Sequence, residues 1–266
     1  MSSPARPVGE LLREWRQRRR LSQLDLACEA GISQRHLSCL ESGRARPSRG
    51  MLLRLAERLE VPLRERNLLL VAAGFAPAFA QRALGDAALR GAQEAVLRLL
   101  AAHEPWPALA LDRHWSVVAT NRAVPPLLAG CAPELLRPPV NALRLSLHPG
   151  GLAPRIRNLG EWRAHLLERL RRQVEATADA ALIALLEELR RYPAPPAPAA
   201  APPELPPAVP LRLATAEGTL ALLSATTVFG TPLDVTLAEL MLETFLPADA
   251  ATAAALHRLA GEGQAA

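Results

Sequence analysis

The apolar residues at the start of the chain recur every three or four positions, the spacing of helices with one buried side. A first stripe, Leu11, Leu12 and Trp15, ends at an arginine cluster, where cations favour a helix C-terminus. Ser22 is a good N-cap and predicts a second helix over 23–30. The positions that we expect to face inward in this second helix are Leu24, Ala27 and Cys28.

A glycine-containing turn follows the second helix. Gly31 ends that helix, and Ser33 is the N-cap of a third helix over 34–42, in which Leu37 and Leu40 should face inward. Two short helices joined by such a turn are typical of a helix-turn-helix.

Two more helices complete this N-terminal module. Ser48 precedes a fourth helix, Pro62 begins a fifth, and Gly74 is the expected stop. We therefore predict a mainly α, five-helix domain over 1–75.

The remainder of the chain combines helical and alternating patterns. Helices are predicted over about 160–174 and 178–191, and an earlier helix ends at Glu104-Pro105. The runs ALALD and WSVVATN suit a β-hairpin, and LRLAT and GTLALLSATTVFG alternate as strands do. The segment 193–210 holds nine prolines and predicts an exposed polyproline II loop, either an insertion or a variable loop.

Charge is distributed unevenly. Residues 1–67 carry 14 arginines against 8 acidic residues, whereas residues 68–266 carry 17 against 18. A basic first module suggests a polyanion as its partner. The three cysteines are widely spaced and the start of the chain lacks an apolar signal segment, so we expect reduced thiols, no metal, no cofactor, no membrane span and a cytoplasmic protein.

The segment LSQLDLACEAGISQRHLSCLESGRARPS resembles the Cro/C1-type helix-turn-helix, also called the xenobiotic response element family. If Leu37 and Leu40 are buried, Gln34 and Arg35 lie at the outer N-terminal end of the third helix, where they would read bases in a major groove. The other expected DNA contacts are weaker or reach phosphates: Gln23, Ser33, Ser38, Cys39, Arg44, Arg46 and Arg49. Gln23 resembles a family position that binds a phosphate, and the alternative for the three arginines is a solvated charged surface. The resemblance also implies a structural ion pair between Arg16 and Glu41.

Three further segments resemble the MmyB-like ligand-binding domain of actinobacterial regulators: AAHEPWPALALDRHWSVVATNRA, SLHPGGLAPRIRNLGEWRAHLLERLRRQ and VFGTPLDVTLAELMLETFLPAD. The resemblance implies an α/β, PAS-like domain over 89–250, with a small antiparallel sheet flanked by helices and a pocket for an apolar molecule such as a fatty acid. In TLAELMLETFLP, periodicity slightly favours a helix, whereas the resemblance implies a strand; we predict the strand.

The ligand-contacting residues are expected within these matched segments. They are Trp115, Asn121, His148, Arg157 and Trp162, with Arg157 or His148 as the anchor of a carboxylate. Four of them have a structural alternative. The two tryptophans could be core residues, His148 could be a hydrogen-bonded turn residue, and Asn121 could bond its own backbone at the end of a strand.

The helix-turn-helix pattern predicts a transcription regulator that binds a double-stranded DNA operator as a homodimer, and the second resemblance implies that it responds to a small apolar ligand. The alternative is a constitutive regulator whose C-terminal domain is a dimerisation or protein-interaction module without a ligand. No serine-hydrolase, zinc-protease or nucleotide-binding motif is present, so we do not expect an enzyme.

Overall fold

A computed structural model describes residues 6–193 and 208–262. The chain forms two compact units. The first comprises Met1–Ala83 with the short stretches Glu175–Thr177 and Thr231–Ala238, and the second comprises the remainder. Most of the predicted proline-rich loop at 193–210 lies outside the described residues.

The first unit contains the five predicted N-terminal helices. They are α1 (Val8–Arg18), α2 (Gln23–Ala30), α3 (Gln34–Glu41), α4 (Arg49–Arg58) and α5 (Leu63–Ala72). Ser22, Ser33 and Ser48 cap α2, α3 and α4, each accepting a hydrogen bond from a backbone N–H three residues later. These caps fix where the short helices begin, because they satisfy donors that have no partner within the helix.

The inward face of α2 differs from the prediction. Leu24 is 54% exposed and Cys28 is also exposed. The buried stripe is instead Leu26, Ala27 and Ala30. Leu26 and Ala30 are four positions apart and lie on one side of the helix with Ala27, so this side packs into the apolar core of the unit. Only Ala27 of the three predicted positions was correct.

The second unit is built on a five-stranded antiparallel sheet. Its strands are β1 (Ala108–Leu111), β2 (Val117–Thr120), β3 (Leu211–Thr215), β4 (Gly218–Val228) and β5 (Met241–Pro247), in the order β2-β1-β5-β4-β3. The helices of the C-terminal region are α6 (Arg90–Ala102), α7 (Ala142–Leu147), α8 (Leu159–Thr177), α9 (Ala180–Arg190), the short α10 (Val235–Ala238) and α11 (Ala250–Glu262). The predicted strand in TLAELMLETFLP is confirmed as β5, which pairs with β1 and β4.

Apolar clusters cover both faces of this sheet. Leu242 of β5 packs with Val96 and Leu100 of α6 on one face, whereas Phe245 packs on the larger cluster of the other face. That larger cluster includes Trp162 of α8. Leu242 and Phe245, an odd number of positions apart in β5, therefore contribute to two different cores, as the alternation of a strand requires. Among the described helices, none has the length and apolar character needed to cross a bilayer.

Candidate DNA-binding surface and ligand cavity

The turn between α2 and α3 has the geometry that the sequence pattern predicts. Gly31 adopts a left-handed conformation with φ of 66°, which a glycine accepts without steric cost. Its neighbour Ile32 packs against the core, and the Ile32 amide donates to the Ala27 carbonyl over 2.9 Å. The turn therefore holds α2 and α3 in a fixed helix-turn-helix arrangement.

The outer side of α3 presents polar residues, while its leucines are buried. Gln34 and Arg35 are exposed at the first turn of the helix, and Ser38 and Cys39 are partly exposed. We call these four residues the α3 surface. Within the described part of the chain, Arg35 forms no ion pair. The Ser33 hydroxyl beside it accepts the His36 amide hydrogen over 3.2 Å as the helix cap.

Three exposed arginines follow α3 in the chain. Arg44 and Arg46 lie in the loop, and Arg49 is the first residue of α4. The Arg44 Nε donates to the Ser42 hydroxyl over 2.9 Å, which leaves the guanidinium at the surface. A cluster of exposed cations beside a helix-turn-helix can neutralise phosphates without reading sequence.

A buried carboxylate, Glu41, joins the first three helices. Its two oxygens accept hydrogen bonds from the Arg16 Nε and Nη2 over 2.6 and 2.9 Å. Gln23 Nε2, at the start of α2, donates to the same carboxylate over 2.8 Å. Arg16 also donates to the Leu21 carbonyl over 2.9 Å. The predicted contact between Arg16 and Glu41 is therefore present, and Gln23 extends it.

The charge of Glu41 is stabilised by these partners. Burial disfavours its ionised form, but the hydrogen bonds from Arg16 and Gln23, together with the positive charges of Arg16 and Arg13, outweigh burial and lower the pKa of Glu41 from its ordinary value. The same hydrogen bond raises the pKa of Arg16. Gln23 was predicted to donate a hydrogen bond to a DNA phosphate. One hydrogen of its side-chain amide is bound to Glu41, and the second remains for another acceptor.

The second unit contains an apolar cavity of about 280 Å³. It lies among the sheet, α7 and α8, and most of its 24 lining residues are aliphatic. Representative wall residues are Leu109, Leu111, Val117, Leu143, Leu166, Leu213, Leu222 and Phe245. Such a cavity is suited to a small ligand that is mostly hydrocarbon.

Both predicted tryptophans line this cavity, and both have their polar atom bound elsewhere. The Trp115 indole N–H donates to Gln173 Oε1 over 2.7 Å, and that of Trp162 donates to the Ser146 hydroxyl over 2.9 Å. Their rings therefore present an apolar surface to the cavity. His165 stacks on Trp162, and burial, with repulsion from a nearby arginine, lowers the pKa of His165.

The other three predicted ligand residues are not among those lining the cavity. Asn121 is buried and binds backbone groups, accepting from the Ala108 amide and donating to the Leu100 and Trp106 carbonyls. His148 Nδ1 accepts the Gly150 amide hydrogen over 2.9 Å, so it closes a turn. Arg157 is exposed, and its backbone amide bonds to Arg212 of β3.

The sequence did not single out the polar pair on the cavity wall. Arg169 of α8 and Glu243 of β5 form two hydrogen bonds, Nη1 to Oε1 over 2.8 Å and Nη2 to Oε2 over 2.9 Å. They are 74 residues apart in the chain. Glu243 offered one signal, since an acidic residue within a strand of a covered sheet requires a buried partner. The periodicity of the sequence does not show that Arg169 is the partner of Glu243.

Other chemistry is sparse in the described residues. Cys28 and Cys39 have exposed or partly exposed free thiols, and Cys131 is buried. Within residues 6–193 and 208–262, no group of three His, Cys, Asp or Glu side chains could hold a metal ion. The glycines at 150 and 151 have a structural function, because a Cβ on Gly151 would lie 2.2 Å from the Leu145 carbonyl oxygen.

Comparison with known families assigns both modules. A helix-turn-helix domain family matches residues 7–69, and the family described as MmyB-like transcription regulator ligand binding domain matches residues 92–259. A search of curated proteins finds no match. Both families are domains of transcription regulators rather than of enzymes. The chain is a DNA-binding transcription regulator and belongs to the MmyB-like family, whose ligand-binding domain occupies more than half of its length.

Proposed function

We propose that the protein binds operator DNA through the α3 surface and that a small apolar ligand in the cavity modulates this binding. The observation that carries the proposal is the combination of an exposed Arg35 at the first turn of α3 with a 280 Å³ apolar cavity in the second unit. The ligand class is a small apolar molecule with an alkyl chain, of which a fatty acid is one example. Its effect on DNA requires that it favour one state of the protein over another.

Gln34 and Arg35 are the proposed base readers. A glutamine matches the donor and acceptor of adenine, and an arginine matches the two acceptors of guanine. Ser38 and Cys39 would make weaker contacts, while Gln23, Ser33, Arg44, Arg46 and Arg49 would position the protein on phosphates.

Two arginine variants distinguish a residue that recognises a base from one that contacts a phosphate. Arg35→Ala should lose preference at one operator position, at a cost of about 1–3 kcal/mol for that base pair. Arg46→Ala should weaken binding to all sequences and reduce the slope of log affinity against log salt by about 0.9. Arg98→Ala, at an exposed position of α6, is the control and should change neither. Selection from a random DNA pool, followed by titrations at several salt concentrations, measures these effects; an unchanged preference in Arg35→Ala contradicts its assignment.

The proposed assembly is a homodimer on an inverted repeat. Dimeric helix-turn-helix proteins place their recognition helices in two half-sites about one helical turn apart. The same selection reports this spacing, and a single isolated half-site in the selected sequences would argue against the dimer.

A constitutive regulator without a ligand is the alternative. Native mass spectrometry and a thermal-shift screen with alkyl alcohols, amides and fatty acids separate the two functions. Ligand retention or a rise in Tm supports the regulated function, whereas a cavity that accepts none of these compounds supports an interaction module.

A further inference from the structure

The cavity wall contains only two ionisable residues among its 24 lining residues. They are Arg169 and Glu243, and they carry opposite charges. Glu243 is nearly inaccessible and Arg169 is mostly buried. The two charges cancel, so the cavity wall has no net charge that could neutralise an ionic ligand.

Arg169 is already committed to other groups. Its Nη1 and Nη2 donate to the two oxygens of Glu243, and Nη2 also donates to the Thr226 hydroxyl over 2.8 Å. The guanidinium lies over the Trp115 ring, 4.9 Å from its centroid. A ligand carboxylate would have to displace Glu243 or approach it, and either event leaves a buried negative charge without its full compensation.

The hydrogen-bonding capacity that remains suits an uncharged group. Glu243 has further lone pairs that could accept from a ligand hydroxyl or amide. The Ser146 hydroxyl, which accepts the Trp162 indole N–H, can donate its own hydrogen to a ligand oxygen. A hydroxyl group can satisfy both partners because it donates and accepts.

We infer that the cavity selects a neutral amphiphile, with an alkyl chain and a hydroxyl or amide end, over a fatty-acid anion. This inference rests on the proposed ligand-binding function and narrows its ligand class. The 280 Å³ cavity lies near the lower end of the size range of small-molecule sites, which favours a medium-length alkyl chain. Decan-1-ol and decanoate are therefore suitable probes.

The first experiment compares these two probes on the full-length wild-type protein at neutral pH by calorimetry. Decan-1-ol should bind more tightly than decanoate by about tenfold or more, because the anion must lose its hydration without gaining a free cation. Equal or tighter binding of decanoate overturns the inference but leaves the proposed ligand-binding function intact. Failure of both probes, and of longer alcohols and acids, overturns both.

A charge variant tests whether Glu243 causes this preference. Glu243→Gln keeps the side-chain shape and removes the negative charge, so Arg169 becomes an available cation. The ratio of the decanoate Kd to the decan-1-ol Kd should fall by about tenfold in this variant. In Glu168→Gln, a control on α8 at a partly exposed position outside the cavity wall, the ratio should not change.

The ratio is informative because any general preference for the more hydrophobic alcohol cancels between variants. Circular dichroism and Tm identify a variant that fails to fold, and the wild-type comparison tests the inference independently of the variants. An unchanged ratio in a folded Glu243→Gln protein contradicts the assignment of selectivity to the Arg169–Glu243 pair.

Discussion

Glu41 shows how one residue can determine the geometry of a DNA-binding module. Its buried carboxylate is bonded to Arg16 of α1 and Gln23 of α2, while Glu41 itself ends α3. A buried charge is tolerated only where its partners are well placed. The orientation of α3, and so of the proposed base readers, therefore depends on two side chains that are not expected to contact a base.

A double-mutant cycle should detect this coupling. Glu41→Ala and Arg16→Ala should each lower the free energy of unfolding by up to about 3–5 kcal/mol. The first variant leaves Arg16 without its carboxylate, and the second leaves the buried Glu41 with only Gln23 and the more distant Arg13. The double variant should be less destabilised than the sum by about 0.5–3 kcal/mol. Denaturant titrations of the four proteins measure this interaction energy, and strict additivity would show that the pair contributes no coupling.

Acid should remove the contribution of Glu41. The pKa of Glu41 is lowered in the folded protein. Its ionised form therefore stabilises the fold fully above about pH 4.5, the ordinary pKa of a glutamate, and this stabilisation is lost as the pH falls towards the folded-state pKa. The stability difference between wild type and Glu41→Gln should be constant between about pH 6 and 8 and shrink below about pH 4.5. Denaturant titrations across this range test it; a constant difference down to the lowest pH contradicts the linkage.

At the scale of elements, α1 and α3 meet at a glycine that helical periodicity did not reveal. A Cβ on Gly9 would lie 2.4 Å from the Leu40 carbonyl oxygen and 2.7 Å from that of Glu41. Both atoms belong to the backbone of α3, so no side-chain rotation could relieve the contact. The close approach brings Arg16 within reach of Glu41.

An alanine at this crossing should separate the two helices. Gly9→Ala should destabilise the first unit by about 1–3 kcal/mol, because inserting a methyl group into a filled contact forces the backbone to move. Gly50→Ala is the matched control: this glycine lies in α4 with open space around its Cα, and alanine should stabilise the helix by up to about 1 kcal/mol. Thermal unfolding compares the two, and similar Tm changes would contradict a specific contact at Gly9.

The elements themselves were largely predictable, whereas their contacts were not. Serine caps and the left-handed glycine fixed the bounds of α2 and α3, since these signals act within a few residues. The inward face of α2 was wrong at Leu24 and Cys28 because a helix of eight residues offers only two turns of pattern, so alternative stripes fit equally well. The Arg169–Glu243 pair was missed because it joins α8 to β5, and sequence spacing carries no information about that distance.

At the scale of the whole molecule, a segment between β4 and β5 is part of the first unit. Within Thr231–Ala238, Asp234 is buried and accepts from Arg82 over 3.0 Å, and the Val235 amide donates to the Ala80 carbonyl over 2.8 Å. In the chain, this segment begins five residues after Thr226 and ends five residues before Glu243. Those two residues hold Arg169 at the cavity wall.

This covalent continuity suggests a route by which a ligand could affect DNA binding, if the proposed function holds. A ligand that shifts β4 or β5 would also displace the segment Thr231–Ala238, which is hydrogen-bonded within the first unit. Asp234→Ala should therefore reduce the factor by which ligand changes operator Kd, while leaving the ligand Kd and the operator Kd without ligand nearly unchanged. Such coupling factors are typically about 5- to 150-fold, so a loss is measurable by operator titrations with and without decan-1-ol. Asp86→Ala, which removes an exposed aspartate that accepts the Ala88 amide, is the control. An unaltered coupling factor in Asp234→Ala would show that the ligand signal does not depend on this segment.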